Sequence, residues 1–173
     1  EEGVSLLDHG DVMRYEEILF LCDVLRELGV RKVRFTGGEP LIRKKDIVTL
    51  ARENKDCIFL AFTNGTLVDD KLCEDIKSCG NLALALSIEG SEEVNDSRRG
   101  EGVYQKTLNA MKLLKKHKCL FGTSVCYTSK NYDSVTSDEL ANYQSLAVTV
   151  AGNAADACDA DTATSIACDS ARP

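Results

Sequence analysis

The sequence predicts an α/β fold, with a parallel sheet of about four strands and flanking helices making up part of a (β/α) barrel. Two observations predict it. Short apolar runs centred near residues 33, 59, 84 and 123 recur after about 26, 25 and 39 residues, and an amphipathic helical pattern falls between successive runs. The runs are also continuously apolar rather than alternating, as strands of a parallel sheet covered by crossover helices require.

Each element has its own signal. YEEILFLCDVLREL (15–28) carries Ile18, Leu21, Cys22, Leu25 and Leu28 at helical spacing and stops at Gly29. RKVRF (31–35) is a strand, and a helix follows from about Lys45 to Glu53. CIFLAF (57–62) is the next strand, then DDKLCEDIKSC (69–79) is a helix closed by Gly80, and LALALSI (82–88) is a third strand. A polar loop leads to VYQKTLNAMKLLKKHK (103–118), a helix whose terminal cations suit its dipole, and CLFGTSVCYT (119–128) is the fourth strand.

Composition bounds the partners. The 173 residues are 43% hydrophobic and 28% charged with net charge -7, enough for one domain with a core and without the basic footprint of a nucleic-acid or anionic-membrane binder. A small-molecule or peptide substrate is the expected partner. No apolar run approaches the ~18 residues of a membrane span and no signal peptide opens the chain, so a cytoplasmic location is expected.

Eight cysteines stand at 22, 57, 73, 79, 119, 126, 158 and 168. No two are three or four residues apart, so no CxxC or CxxxC clamp for zinc or an iron-sulfur cluster exists in the sequence. Cys22 and Cys73 sit on apolar stripes and are expected in the core as small hydrophobes. After Lys130 the composition changes, giving a core over 1–138, a helix or linker over 139–150 and a disordered or non-native tail over 151–173.

Sites of parallel βα proteins collect at the C-terminal ends of the strands. Here those ends read Thr36-Gly37-Gly38-Glu39-Pro40, Thr63-Asn64-Gly65, Ser87-Ile88-Glu89-Gly90 and Thr128 to Asn131. Gly37 and Gly38 allow close approach of a ligand to the backbone, and Glu39 offers an acceptor to an ammonium group. Asn64 is a further candidate whose structural reading is a turn residue.

These strand ends resemble the radical S-adenosylmethionine (SAM) superfamily. The resemblance implies that GGEP, here Gly37, Gly38, Glu39 and Pro40, holds the methionine amino group, and that Ser87 of Ser-Ile-Glu-Gly, where the family pattern is Ser-x-Asp-Gly, contacts the ribose or carboxylate. Asn95, Asp96 and Arg99 in NDSRRG match an element of peptide-maturing members in which the arginine lies near the cofactor, with a solvated loop charge as the structural reading of Arg98 and Arg99. Residues 1–44 are most similar to the GTP cyclase of molybdenum cofactor biosynthesis, and the stretches FTNGTLVDD, LSIEG and NDSRRGEGVY to peptide- and sulfatase-maturing members.

The family's cofactors are SAM and a 4Fe-4S cluster held by CxxxCxxC. That motif is absent here, so the resemblance implies a partial barrel whose first strand and cluster loop would lie upstream of Glu1. The expected function is part of an enzyme that cleaves SAM to a 5'-deoxyadenosyl radical for hydrogen abstraction from GTP or a peptide, inactive as these residues alone. A non-catalytic SAM-binding or scaffold fragment is the alternative, and self-association through an open sheet edge is expected.

Overall fold

The computed structural model describes residues 13–128, 131–137, 149–154 and 166–168. It divides into two compact units, residues 1–31 and 32–173. In the first unit, helix α1 spans Tyr15–Glu27. Its entry is closed by Glu17, which accepts the backbone N–H of Arg14 at 2.7 Å, and Arg31 donates to the carbonyl of Arg26 at 2.8 Å near its exit. Burial centres on Cys22, whereas Leu21 and Leu28 at the margins of the apolar stripe stand exposed.

The second unit is the βα succession that the apolar periodicity predicts. Strand β1 (Lys32–Phe35) leads through a 3₁₀ turn at Pro40–Arg43 into α2 (Lys44–Glu53). Then come β2 (Ile58–Thr63), α3 (Asp70–Cys79), β3 (Leu82–Ser87), α4 (Glu92–Arg99), α5 (Val103–Lys116), β4 (Phe121–Tyr127) and the short α6 (Tyr132–Val135). Strands β1 to β4 pair in chain order and in parallel, with Phe35 opposite Ala61, Thr63 opposite Leu86, and Ser87 opposite Ser124.

Residue alternation gives the sheet two unlike faces. Phe59 and Ala61 of β2, Leu84 and Leu86 of β3, and Phe121 and Val125 of β4 form the buried face, covered by Leu50 and Ala51 of α2, Cys73 of α3, and Met111 and Leu114 of α5. The opposite face is lined by Leu60, Phe62, Ala83, Ala85, Ser87, Gly122 and Ser124, mostly half-buried and mostly small. It carries the exposed Lys32 and Arg34 at the β1 edge. One face makes the core of this unit.

Helix α3 shows how local sequence fixes the layout. Asp69 caps it by accepting the N–H of Leu72 at 2.7 Å, and Gly80 ends it in the left-handed conformation. Lys44 on α2 reaches Asp69 at 2.5 Å. Burial alone would raise the Asp69 carboxyl, but Lys44 and the Leu72 N–H outweigh it and hold its pKa below the usual value.

One expectation is corrected. The stretch after Gly90 is not wholly loop: Glu92–Arg99 is helix α4. Its single apolar residue, Val94, leaves no stripe to read, but acids in the first turn, arginines in the last and Gly100 beyond were its start and stop signals. Residues 149–154 form β5, parallel to β4, and 166–168 form β6, antiparallel to β5. The first falls across the expected linker and tail and the second within the tail, where composition showed no strand pattern. The main-chain groups along β4 template pairing whatever the side chains are. The rest of 138–173 lies outside the described residues.

Candidate functional site

The strand-end turns form one strip along the C-terminal edge of the sheet. In the first turn Gly37 takes φ +114°, a backbone state open to glycine, and Pro40 starts the 3₁₀ turn with Leu41 buried behind it. Glu39 sits between them, half-buried. Its Oε1 accepts the Leu41 N–H at 2.9 Å and the Thr63 hydroxyl at 2.7 Å, and its Oε2 accepts the Asn64 N–H at 2.9 Å. A carboxylate has about four acceptor sites, so three are filled by the protein and one on Oε2 remains.

Thr63 is thus a site residue that sequence reading passed over. Nothing in CIFLAFT marks its hydroxyl as the hinge between two strand ends. Asn64, the candidate beside it, behaves as a turn residue: its Oδ1 accepts the Thr66 N–H at 2.9 Å and the Thr66 hydroxyl at 2.7 Å. Its contribution to the strip comes from its backbone N–H on Glu39.

Gly38 differs from Gly37. It has no positive φ, and a Cβ placed on it meets no atom of the described residues within 4 Å. The described residues therefore supply neither a conformational nor a packing reason for glycine there. An open cradle over Gly37 and Gly38, next to a fixed carboxylate with a spare acceptor site, fits an ammonium-bearing ligand lying close to the backbone.

On β3, Ser87 is half-buried on the helix-free face beside Ser124. Extending the β2–β3 register by one residue sets Asn64 beside Ser87, so the first three turns are contiguous. Two residues on, Glu89 is fully buried. Arg99 Nη2 donates to its Oε1 at 2.5 Å, and Arg98 Nη1 lies 2.9 Å from Oε2 as an ion pair. The two arginines are therefore neither loop residues nor simply solvated.

Burial works against the charge on Arg98, but its contacts with the Cys126 thiol and with Glu89 outweigh it and raise its pKa. Arg99 Nε is buried with no hydrogen-bond partner among the described residues.

Asn95 and Asp96 act on the scaffold. Asn95 Oδ1 accepts the Glu89 N–H at 3.1 Å. Asp96 accepts the N–H groups of Gly102 at 2.6 Å and Tyr104 at 2.8 Å, tying α4 to the start of α5. The Tyr104 bond foremost, aided by Gly102 and Asn95 and opposed by burial, holds Asp96 below the usual carboxylate range. A carboxyl depressed on folding contributes stability above its unfolded value near ~3.9 and loses it as pH falls through the lower folded value. We expect urea unfolding of wild type and Asp96→Asn to show a stability gap that is full near neutral pH and closes as pH drops below about 4. A gap independent of pH would assign the effect to something other than this charge.

Five of the cysteines serve the core: Cys22, Cys57, Cys73, Cys79 and Cys119 are buried. Burial, reinforced by Cys119, Asp70 and Asp69, pushes the Cys73 thiol up to about 12. No group of three or more His, Cys, Asp or Glu side chains among the described residues is arranged to hold a metal ion. With no CxxxCxxC in the sequence either, the residues present do not fit a 4Fe-4S cluster, whereas the turn at 37–40 does fit the amino acid end of SAM. No helix among the described residues is long and apolar enough to cross a membrane.

Fold and strip together define an α/β protein of the partial-barrel type with polar, glycine-rich turns at the C-terminal edge of its parallel strands. The family model of the Radical SAM superfamily matches residues 5–137, and the chain belongs to that superfamily. It is similar to the GTP 3',8-cyclases of Geobacter sulfurreducens, at 37% identity over 92 residues, and Petrotoga mobilis, at 48% over 92 residues. Each match covers 51% of this chain and 28% of the cyclase, so the chain spans under a third of those relatives' length. Among solved structures it is similar to anSMEcpe with bound AdoMet (TM-score 0.62, 23% identity, 82% of this chain and 43% of that one). It is also similar to SuiB of Streptococcus suis bound to S-adenosylmethionine (TM-score 0.68, 17% identity, 83% and 34%). At these identities the structural likeness concerns the fold.

Proposed function

We propose that this chain is the SAM-binding core of a radical SAM enzyme and that it grips the methionine end of SAM at Gly37, Gly38, Glu39 and Pro40, with Ser87 and Arg99 further along the strip. The observation that carries the reading is the unfilled cradle at Gly38 beside the spare acceptor site of Glu39. Asn64 serves through its backbone, by fixing Glu39.

A bound 4Fe-4S cluster in its reduced state would supply one electron, which in this family splits the sulfonium of SAM into methionine and a 5'-deoxyadenosyl radical that takes a hydrogen atom from substrate. The eight cysteines are not spaced for that cluster, and its ligands in this proposal come from outside these 173 residues. What the chain's own residues do is bind and orient. Glu39 neutralises the ammonium group, and the glycines let it approach.

For substrate we favour GTP. The cyclases give the higher sequence identities, and the exposed Lys32 and Arg34 on the helix-free face supply cations suited to a polyphosphate. A peptide is the second reading, supported by the likeness of NDSRRG to peptide-maturing members. Self-association through the side of β1 that no described strand pairs belongs to the same proposal, and size-exclusion chromatography giving only monomer at high concentration would remove it.

The test is calorimetric titration of SAM into the wild type and Gly38→Ala. A Cβ at Gly38 clashes with nothing, so the variant should melt within about 0.5 kcal/mol of wild type. Its SAM affinity should fall about tenfold, since the methyl group fills the cradle. A folded wild type that gives no binding heat returns the chain to a scaffold. Anaerobic reconstitution with iron and sulfide should yield no stoichiometric 5'-deoxyadenosine from these residues alone, and a robust yield would overturn the view that the cluster ligands lie elsewhere.

A further inference from the structure

We infer that Thr107 of α5 is a positioning residue of the candidate site, the far end of a hydrogen-bonded relay that runs through the 64–65 peptide and the Thr63 hydroxyl to Glu39 and fixes which carboxylate oxygen stays open to the ligand. The inference rests on the SAM-site reading above. It adds to it a residue of a helix, outside every strand-end turn.

Every link of the relay points the same way. The Thr107 hydroxyl donates to the carbonyl of Asn64 at 2.8 Å. On the other side of that peptide the Gly65 N–H donates to Thr63 Oγ1 at 3.0 Å, and the Thr63 hydroxyl donates to Glu39 Oε1 at 2.7 Å. Hydrogen bonds aligned in series polarise and strengthen one another, so the Thr107 proton reinforces the bond that ends on the carboxylate.

The relay decides where a ligand can bind. Oε1 takes both the Thr63 hydroxyl and the Leu41 N–H at 2.9 Å, whereas Oε2 takes the Asn64 N–H at 2.9 Å. The acceptor site that remains is on Oε2. The residue that gives Oε2 its N–H is the one whose carbonyl Thr107 holds.

Packing brings helix and turn into reach. A Cβ placed on Gly65 would lie 3.1 Å from Leu86 Cδ2, 3.2 Å from Ala110 Cβ and 3.5 Å from Thr107 Cα, so the turn is seated directly on β3 and α5. Thr107 is 0% exposed, and a buried β-branched hydroxyl favours neither the helix nor the core. Valine would fill the same space without the donor. A second carbonyl, Val103, is 3.0 Å away, but it belongs to α5 and has the helix's own i+4 N–H. The Asn64 carbonyl lies outside helix and strand, and is the shorter contact.

The test is calorimetric titration of SAM and of methylthioadenosine, which lacks the ammonium group, into wild type, Thr107→Val and Thr107→Ser. In Thr107→Val, SAM affinity should fall roughly 3- to 10-fold while methylthioadenosine stays within about twofold. Thr107→Ser, which keeps the hydroxyl, should recover SAM affinity to within about twofold. Adding Thr107→Val to Glu39→Gln should cost SAM no more than about twofold further, because the effect passes through the carboxylate.

An unchanged SAM affinity, a loss shared equally by both ligands, or a full further loss in the double variant would overturn the inference. If Thr107→Val melts too low to be titrated, Thr107→Ala decides on the same comparison, since it removes the hydroxyl with a strong helix former. Wild type that binds no SAM removes the SAM reading itself. Wild type that binds SAM, with Thr107→Val indistinguishable from it, removes the relay alone.

Discussion

Glu39→Gln is expected to weaken SAM binding by roughly 10- to 100-fold. A hydrogen bond between charged groups contributes about 1.5–3 kcal/mol, and about 1.4 kcal/mol is a factor of ten. The glutamine keeps Oε1 as an acceptor for the Leu41 N–H and the Thr63 hydroxyl, so the turn retains two of its three bonds. In place of Oε2 it puts an amide that meets the Asn64 N–H donor to donor. The variant should therefore also lose about 1–3 kcal/mol of stability.

Two analogues separate these effects. Decarboxylated SAM, which keeps the ammonium group, should lose as much affinity as SAM. Methylthioadenosine, which has none, should lose nothing. Isothermal titration with all three ligands is the measurement, and equal losses for SAM and methylthioadenosine would show that the turn had collapsed rather than lost its charge.

How far the sequence disclosed this site depends on the kind of signal each residue leaves. The four parallel strands were legible because apolar runs such as LALALS must be buried, and α3 because Asp69 and Gly80 bracket it. GGEP was legible as a turn at a strand end, since two glycines and a proline there interrupt the strand. Thr63 and Glu89 were not legible. Both lie inside or just past apolar strands, and their partners are 24 residues upstream for Thr63 and 9 to 10 downstream for Glu89.

Asn95 and Asp96 stood out only as part of an element whose arginine is the expected cofactor neighbour, and their side chains hold the main chain of Glu89, Gly102 and Tyr104. Strand β5 left no periodic trace because a strand added to a waiting edge is specified by main-chain pairing.

The loop after β3 yields the largest expected loss of stability, at Gly90. Its φ of +96° is one that L side chains rarely adopt, and a Cβ there would lie 2.8 Å from Ser134 Cβ and 3.1 Å from the Ser134 carbonyl carbon, overlapping Ser134 Oγ as well. Backbone strain of about 1–3 kcal/mol adds to overpacking of about 1–3 kcal/mol. Displacing Ser134 also breaks the bond that its Oγ accepts from the Ser91 N–H. Gly90→Ala should thus cost about 3–5 kcal/mol, a large part of the 5–15 kcal/mol that holds a typical domain folded.

The double variant Gly90→Ala with Ser134→Gly separates the causes. It removes the side-chain overlap, so urea unfolding should recover roughly half of the loss and leave the strain and the missing Ser91 bond. A single variant that unfolds within about 1 kcal/mol of wild type would mean that the loop carrying Glu89 can yield, and that its buried ion pairs with Arg98 and Arg99 survive a shift of the backbone.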